Sequence, residues 1–459
     1  MMDQLLNRKL IKPALVAAVL LLSVVPAFIT NYTFLFLLLG ACLGLGGLYF
    51  LFKWPALGVV LLVGSAIIVP FEIGTGSQTN INAAMLLLAA LLGLWFARMF
   101  IEERRFSFVP SRTVMPLVLM VISAMFSLLV GQLNWFPIAG APIRAQIGGL
   151  MLFVFAAGAF LLAANMIKEV RWLEYMVWTF LGLSSIFLLA AIIPQIGSRL
   201  TSLFNPRAFG SVFWIWLAAL AFSQLMYNNT LQLHWRIALG GILAAQFFIS
   251  IVQNSAWTSG WVPPVAAIVT IMVLGRSKML YLAFAGGIAM LIIKYQSFYE
   301  LLMGGDNAYS LDTRLAAWQV LGKIFDANPI FGLGPANYYW YTPLFRIMGY
   351  YVPFNSHNNY VDIIAQVGLV GLFFFLLWAW RTGWLGLEMR SRVPEGFACA
   401  YVYGALGGLA GMLVAAMFGD WVIPFVYNIG FIGFRASIQG WLFLGGLVAL
   451  EQMYPKQAQ

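Results

Sequence analysis

Long runs of apolar residues, separated by short polar segments, follow one another along almost the whole chain. An α-helix needs about 20 consecutive apolar residues to cross the hydrocarbon core of a bilayer. Only 9% of the residues are charged, whereas a soluble domain carries about 25%, so the charge is too sparse to cover a water-facing surface. The runs are also too long and unbroken for barrel strands. We therefore predict an all-α, polytopic membrane protein.

The apolar runs predict about 12–14 transmembrane helices within a single integral membrane domain. The domain divides into helices at 1–294, one large loop at 295–357 and further helices at 358–459. The fourteen predicted spans are 14–30, 33–52, 55–70, 83–100, 113–131, 147–166, 172–193, 208–227, 236–253, 260–274, 279–294, 358–380, 397–417 and 431–450.

The placement of basic residues predicts the orientation of the chain. The net charge of +10 is scattered between apolar spans, which is typical of topology signals and does not indicate nucleic-acid binding. With a cytoplasmic amino terminus, 17 of the 25 Lys and Arg residues fall on the cytoplasmic side, and the other eight, among them Arg435, fall outside. We expect a multi-pass inner-membrane protein with both termini in the cytoplasm and the large loop in the periplasm.

Few residues suit a metal or a disulfide. Cys42 and Cys399 both fall in apolar runs, and the chain has only two histidines, His234 and His357. Neither a disulfide framework nor a metal site is expected, and no phosphate-binding or dinucleotide glycine motif is present. We expect no cofactor.

The loop at 295–357 is the one long segment without a convincing span. Loops of this length are usually functional or disordered, and the many aromatic residues here argue against disorder. A short helix is predicted from Leu311 to Ala327, with Asp312 as its cap and Asn328-Pro329 at its end. The aromatic residues at 338–351 are typical of an interfacial belt and less often of a sugar-binding platform.

Candidate reacting groups gather in the predicted periplasmic loops. His357 ends the large loop, and an imidazole there can act as a general base near neutral pH. Arg314 and Trp318 lie four residues apart in the predicted loop helix and would share a face. Arg199 and Arg207 lie in a shorter loop, and guanidinium groups bind oxyanions as a fork. These residues together would form an outward-facing site for a phosphorylated substrate.

Each candidate also has a structural interpretation. A histidine at a helix start is often a cap, and outer arginines can pair with lipid phosphates or nearby carboxylates. Asp362 lies in an apolar span and is a functional candidate for that reason; five residues past His357, it could orient the imidazole. Asp420 stands at the end of its span, where it is expected to be a rim residue.

The segment Ser356–Gly371, SHNNYVDIIAQVGLVG, resembles the signature of the O-antigen ligase/polymerase superfamily. The shared elements are His-Asn, an aromatic residue two positions further on, and Gly-x-x-Gly in the following helix. Two upstream stretches are also similar to the family: Arg314, Trp318, Pro329, Gly332 and Gly334, and Arg199 with Asn205-Pro206 and Gly210. The chain departs from the family at Thr258–Trp261, which lacks an arginine, and at Gln366, where an acidic residue is common.

The resemblance implies a metal-independent, inverting glycosyltransferase. It would move a glycan from a polyprenyl-diphosphate carrier to an acceptor hydroxyl on the periplasmic side. His357 would take the acceptor proton, while Arg314 and Arg199 would stabilise the leaving diphosphate, with Arg207 a weaker candidate. Substrate binding would extend to Trp318, Asn358, Tyr360 and Asp362. The implied partners are the lipid-linked donor, an acceptor (lipid A core, a growing glycan or a protein) and the bilayer.

Three alternatives stay open. Ligases and polymerases share these motifs, and no residue separates the two. A transporter or flippase of envelope precursors would have polar groups within its spans and broken helices, whereas the spans here are nearly free of charge. A scaffold subunit of an envelope complex is the third alternative.

Overall fold

The computed structural model of the protein describes residues 44, 46, 47, 49–74, 80–193, 195, 197, 200, 209–276, 278 and 305–456. The chain divides at Pro55 into two units, and the second unit, Ala56–Gln459, contains the candidate site.

The described part of the chain is almost entirely helical. A short antiparallel hairpin pairs β1 (Glu72–Gly74) with β2 (Asn80–Asn82). The α-helices are α1 (Pro55–Ile68), α2 (Ala83–Arg98), α3 (Val114–Val130), α4 (Ile143–Met166), α5 (Val170–Ile192), α6 (Ser211–Tyr227), α7 (Leu233–Phe247), α8 (Val262–Leu274), α9 (Gly305–Phe325), α10 (Tyr338–Tyr341), α11 (Asn359–Met389), α12 (Phe397–Phe418) and α13 (Gly430–Met453). Short π- or 3-10-helical turns lie at Met99–Glu103, Phe248–Gln253, Thr258–Gly260 and Thr342–Leu344.

Seven of the described helices are long and apolar enough to cross a membrane. They are Ala83–Glu102, Ile143–Met166, Val170–Ile192, Leu233–Gln253, Asn359–Met389, Phe397–Phe418 and Gly430–Met453. Four shorter apolar helices are Pro55–Ile68, Val114–Val130, Ser211–Tyr227 and Thr258–Leu274. The prediction of an all-α chain with several apolar helices of membrane-spanning length is therefore confirmed, and a multi-pass membrane protein is consistent with it.

Each of these eleven helices overlaps a predicted span. The predicted spans 14–30 and 279–294 lie outside the described residues, and 33–52 lies mostly outside them. The exact number of crossings and the side of the membrane on which each loop lies stay predictions.

The bundle is built around α13. Of the most apolar stretch of α13, 94% is buried within the protein, against 22% for the helix at Leu233–Gln253. α13 packs on α4, α6 and α12, while α12 packs on α6 and α8. Since apolar side chains outside the bundle can face lipid, low burial of a spanning helix places it at the periphery.

A buried arginine on α13 binds the end of α1. Arg435 is 1% exposed; its Nε donates to the carbonyl of Ala66 (3.0 Å) and its Nη2 to that of Val69 (2.6 Å). The last carbonyls of a helix have no partner within the helix and carry partial negative charge, which a cation stabilises. Arg435 lies within the predicted span at 431–450 and within α13, and its guanidinium is used in packing.

Helix α11 is interrupted at Gly368, whose φ of 76° and ψ of −177° are not helical. This combination is essentially restricted to glycine. The interruption frees two amides and two carbonyls, and backbone groups of the Pro329–Gly334 segment pair with all four. The bonds run from Leu369 N to Pro329 O (2.8 Å), Val370 N to Ile330 O (3.2 Å), Leu333 N to Ala365 O (3.0 Å) and Gly334 N to Gln366 O (3.0 Å).

Glycine permits the close approach of these two backbones. A Cβ on Gly332, where φ is 72°, would lie 2.6 Å from the Gln366 carbonyl, and a Cβ on Gly368 would collide with the Ile330 carbonyl. Gly332 and Gly368, two glycines that carry the family resemblance and lie 36 positions apart in sequence, thus meet in one contact. This contact fixes the large loop against α11 close to the candidate site.

Candidate functional site

Helix α9 forms one wall of the site. It spans Gly305–Phe325, so the helix predicted at Leu311–Ala327 is present and begins earlier. Its buried residues Val320, Leu321 and Ile324 pack on a cluster that includes Tyr338 and Phe425. After α9, the Asn328 side chain donates to the Gly332 carbonyl (2.8 Å), which leads the chain into its contact with α11.

A cavity of about 390 Å³ lies between α9 and the end of the large loop. Its polar groups include Arg314 and His357. The opposite wall includes the Ile347–Tyr350 turn, closed by reciprocal backbone hydrogen bonds of 2.9 and 2.8 Å. The lining residues are Thr313, Arg314, Ala317, Ile347, Met348, Tyr350, Val352, Phe354, Asn355 and His357. The two residues expected to react thus share one cavity.

The backbone on both sides of His357 is fixed. The Trp318 indole donates to the Ser356 carbonyl (2.8 Å), so Trp318 on α9 holds the residue that precedes the histidine. Asn358 caps α11 by accepting from the amides of Tyr360 (2.9 Å) and Val361 (3.3 Å). Between these anchors His357 has a φ of 47°, which is uncommon for a residue other than glycine and can mark a functional constraint.

A buried polar network supports this turn. Asp362 is 1% exposed, and its Oδ1 accepts from the hydroxyls of Tyr338 and Ser356, the latter at 2.7 Å. The Ser356 hydroxyl also accepts from the Asn358 amide (2.9 Å). Asp362 therefore acts on the residues that flank the histidine, and its influence on the imidazole of His357 passes through the backbone.

The electrostatic surroundings favour a neutral imidazole. Although His357 keeps an exposed face, desolvation by the surrounding protein and then the charge of Arg314 lower its pKa below 6.5. Desolvation also lowers the pKa of Arg314, yet a guanidinium stays protonated in proteins. Burial, followed by the charge of Asp362, raises the pKa of Tyr338 well above 10, so its hydroxyl remains a donor. At neutral pH the cavity presents one proton acceptor and one cation.

The other predicted site residues lie elsewhere or outside the described residues. Arg199 and Arg207 belong to the latter group. The Tyr360 hydroxyl donates to the Leu413 carbonyl on α12 (2.7 Å). Trp318, Asn358 and Asp362 contact the turn around His357 and are not among the residues that line the cavity.

The family departure at Gln366 has a structural explanation. Its Oε1 accepts from the Ala336 amide (3.1 Å), while its Nε2 donates to the Asp362 carbonyl (3.3 Å). Only a side chain that both donates and accepts can make this pair of bonds, which a carboxylate cannot do. The amide thus joins the large loop to α11.

Sequence reasoning misjudged several residues. Tyr338 and Tyr341 are 0% and 2% exposed, so the belt interpretation is wrong for them, although Tyr350 is 70% exposed. Asp420 is 1% exposed and accepts from the amide of Phe425 (2.7 Å) and the side chain of Asn428 (2.5 Å). It is a buried loop cap, and the expectation of a rim residue is wrong.

Sequence reasoning also missed the other cavity wall and Ser356. The apolar residues Ile347 and Met348 carry no chemical signal in the sequence. Ser356, by contrast, stands directly before the histidine in the family-like segment, where its polarity next to a span was a usable signal. Within the described residues, no group of three or more His, Cys, Asp or Glu side chains is placed to hold a metal ion.

The described part of the chain is a bundle with seven helices long and apolar enough to cross a membrane, and a cavity lies near the Asn359 end of α11, the longest of the described helices. Comparison with protein-family models gives no match, and no curated protein matches the chain. The likeness to the O-antigen ligase/polymerase superfamily therefore depends on the motif residues.

Proposed function

We propose that the protein is a membrane glycosyltransferase of the O-antigen ligase or polymerase type. It moves a glycan from a polyprenyl-diphosphate carrier to an acceptor hydroxyl on the periplasmic side of the inner membrane. The observation that carries the proposal is that His357 and Arg314, separated by most of a 63-residue loop at 295–357, line the same cavity.

The two groups divide the work of an inverting displacement. The neutral imidazole of His357 accepts the proton of the acceptor hydroxyl as its oxygen bonds to the anomeric carbon. The bond between that carbon and the diphosphate oxygen breaks with its electron pair, and the charge of Arg314 stabilises the growing negative charge. The resulting imidazolium then loses its proton readily, because its surroundings lower its pKa.

The size and lining of the cavity suit a sugar joined to phosphate. A volume of about 390 Å³ falls within the range of small-molecule sites and leaves the polyprenyl chain in the bilayer. Exposed Tyr350 offers an aromatic face, and apolar Ile347 and Val352 limit water at the wall. These features support a site in which the reacting ends of donor and acceptor meet.

The test is a transfer assay with purified protein and a synthetic polyprenyl-diphosphate-linked glycan. His357→Ala should reduce transfer by about 10²- to 10⁴-fold, the usual contribution of a general base. The matched control is His234→Ala, since His234 is exposed on α7 and outside the cavity. Equal turnover in the two variants would show that the proposal is wrong.

The glycan profile of a deletion strain separates the two members of the class. A polymerase predicts loss of long chains, while a ligase predicts full-length chains that stay unattached to their acceptor. Unchanged profiles would favour the scaffold alternative.

The interruption in α11 also bears on the transporter alternative. Transporters use broken helices because the freed backbone groups bind substrate or ions. Here the four freed groups pair with the Pro329–Gly334 segment, so they are not available to a ligand. Uptake of a labelled precursor into proteoliposomes without any covalent product would nevertheless favour transport over transfer.

A further inference from the structure

A second polar pocket lies at the other end of α11. It has a volume of about 290 Å³ and is lined by the carboxyl-terminal parts of α11 and α13 and by residues 110–113. Its charged residues are the cations Arg112, Arg381, Arg392 and Lys456 and the carboxylates Glu388 and Glu451. Four positive against two negative charges leave an excess of two positive charges in the pocket.

Within the described residues, none of the four cations of this basic pocket lies within ion-pair distance of a carboxylate, although Arg392 donates to the Tyr454 carbonyl (3.1 and 2.6 Å) and the charges of Arg392 and Arg112 act on Glu451. The ion pairs found in that part of the chain are Arg98–Glu102 and Arg171–Glu169, both outside the pocket. Glu388 instead accepts a hydrogen bond from the Trp384 indole (2.7 Å). Because Arg112, Arg381 and Lys456 are also exposed, they are accessible to an anion.

An apolar groove of about 620 Å³ adjoins the basic pocket along α11 and α12. Trp384 lines both, so the two are separated by no more than this one side chain. From Trp384 the groove passes Trp380 and Leu376 on α11, facing Leu406 and Leu409 on α12. The eight helical steps from Leu376 to Trp384 cover roughly 12 Å, close to the depth of one leaflet's hydrocarbon, roughly 15 Å.

We propose that the basic pocket and the groove together bind one anionic phospholipid. Its phosphate lies among the cations, where guanidinium groups bind oxyanions, and an acyl chain lies in the groove. Basic pockets between spanning helices are known to bind anionic head groups on the cytoplasmic side, which is the side predicted for this end of α11. The site is separate from the cavity at His357, and the proposal does not depend on the proposed transferase activity.

The apolar groove beside the charged residues favours a phospholipid over a soluble phosphate. A free phosphate would contact only the basic pocket, whereas a phospholipid also buries apolar surface in the groove at about 25 cal/mol per Å². A zwitterionic lipid would fill the groove while its choline group meets the excess of positive charge. An anionic phospholipid satisfies both parts.

The experiment measures binding of phosphatidylglycerol to the full-length protein in detergent by native mass spectrometry. Phosphatidylcholine with the same acyl chains and soluble glycerol 3-phosphate are the comparison ligands. We expect one phosphatidylglycerol bound at least tenfold more tightly than either, with a preference that weakens as salt rises. Equal binding of phosphatidylcholine would overturn the charge recognition, and equal binding of glycerol 3-phosphate would overturn the lipid assignment.

Variants locate the site. The double variant Arg112→Gln/Arg381→Gln should weaken phosphatidylglycerol binding at least tenfold and leave phosphatidylcholine binding unchanged. The matched control is Arg105→Gln, which removes an exposed charge outside the pocket. Should the double variant fail to fold, Trp384→Ala replaces it, with loss of acyl-chain contact expected. Wild-type affinity in a folded pocket variant would overturn the proposal.

Discussion

The two ends of α11 both carry positive charge, yet they differ in every other respect. At the Asn359 end, a single arginine faces a neutral imidazole across a cavity whose walls are fixed by a buried polar network. At the Met389 end, four cations surround a pocket without an imidazole. Positive charge suffices to bind an anion, but proton transfer in a reaction requires a group that titrates near neutral pH. Of the two ends, the Asn359 end has both a cation and an imidazole.

The helix itself differs between its two halves. Near the cavity, α11 is interrupted at Gly368 and bonded to the Pro329–Gly334 segment. Towards the basic pocket it runs without interruption, and a Cβ on Gly383 would make only an ordinary contact with Leu409 (3.6 Å). A reacting site needs its groups held in place, whereas a head-group site needs only accessible charge.

After His357→Ala, Arg314→Ala should produce the largest change at the cavity end. Loss of one charge that stabilises a leaving group costs about 10²- to 10³-fold in turnover, so transfer should fall by that amount. Arg346→Ala is the matched control, because Arg346 is an exposed arginine of the same loop outside the cavity lining. Comparable transfer activity in both variants would show that Arg314 in the cavity contributes no more to transfer than an exposed arginine of the same loop.

Gly368→Ala should destabilise the protein, while Gly383→Ala on the same helix should not. The backbone at Gly368 is unfavourable for alanine by about 1–3 kcal/mol, and the added methyl group collides with the Ile330 carbonyl. Thermal unfolding in detergent, followed by loss of tertiary signal, measures both variants. Similar midpoints for the two would show that the two halves of α11 are equally tolerant.

Tyr338→Phe tests the polar network behind His357. The variant removes one of the two hydroxyl donors to the buried Asp362 Oδ1, and loss of one such hydrogen bond costs about 0.5–1.5 kcal/mol. Transfer should decrease together with stability, and the loss should be smaller than for Arg314→Ala. Tyr351→Phe is the control, because Tyr351 is 65% exposed; a loss of equal size there would contradict a specific role for the network.

The pH dependence should report the pairing of the two cavity residues. An imidazole whose pKa is below 6.5 is still mostly neutral at pH 6.5, so the acid limb of the transfer profile should lie below that value. Because the charge of Arg314 contributes to the lowering, Arg314→Gln should raise the pKa of His357 and move the acid limb to higher pH. NMR titration of isotopically labelled histidine in a His234→Gln background measures the shift directly; an unchanged pKa would mean that the two groups do not interact.

The helices were predictable from sequence because length and apolarity are local properties. The span predicted at 397–417 and α12 at Phe397–Phe418 nearly coincide, since Gly396 and Gly419 bound an unbroken apolar run. His357 and Arg314 were also predictable as candidates, because few polar side chains stand near a membrane entrance. Their meeting in one cavity was not predictable from spacing, and neither was the buried position of Asp420.

The break in α11 shows where local reasoning ends. Residues Ala365–Val370 belong to the span predicted at 358–380, which predicts an unbroken helix. The interruption is stabilised by four backbone partners in a segment more than thirty residues upstream. The break therefore depends on two stretches that are distant in sequence, and the glycines in each stretch are the only sign of it in the sequence.

The contact between α11 and the Pro329–Gly334 segment couples local opening of α11 to detachment of the loop. The amides of Leu369 and Val370 bond to carbonyls outside their own helix, so they exchange with deuterium only when the Pro329–Gly334 segment detaches. Helix and loop consequently form one cooperative unit. Exchange rates at these two positions would therefore report each detachment of the Pro329–Gly334 segment.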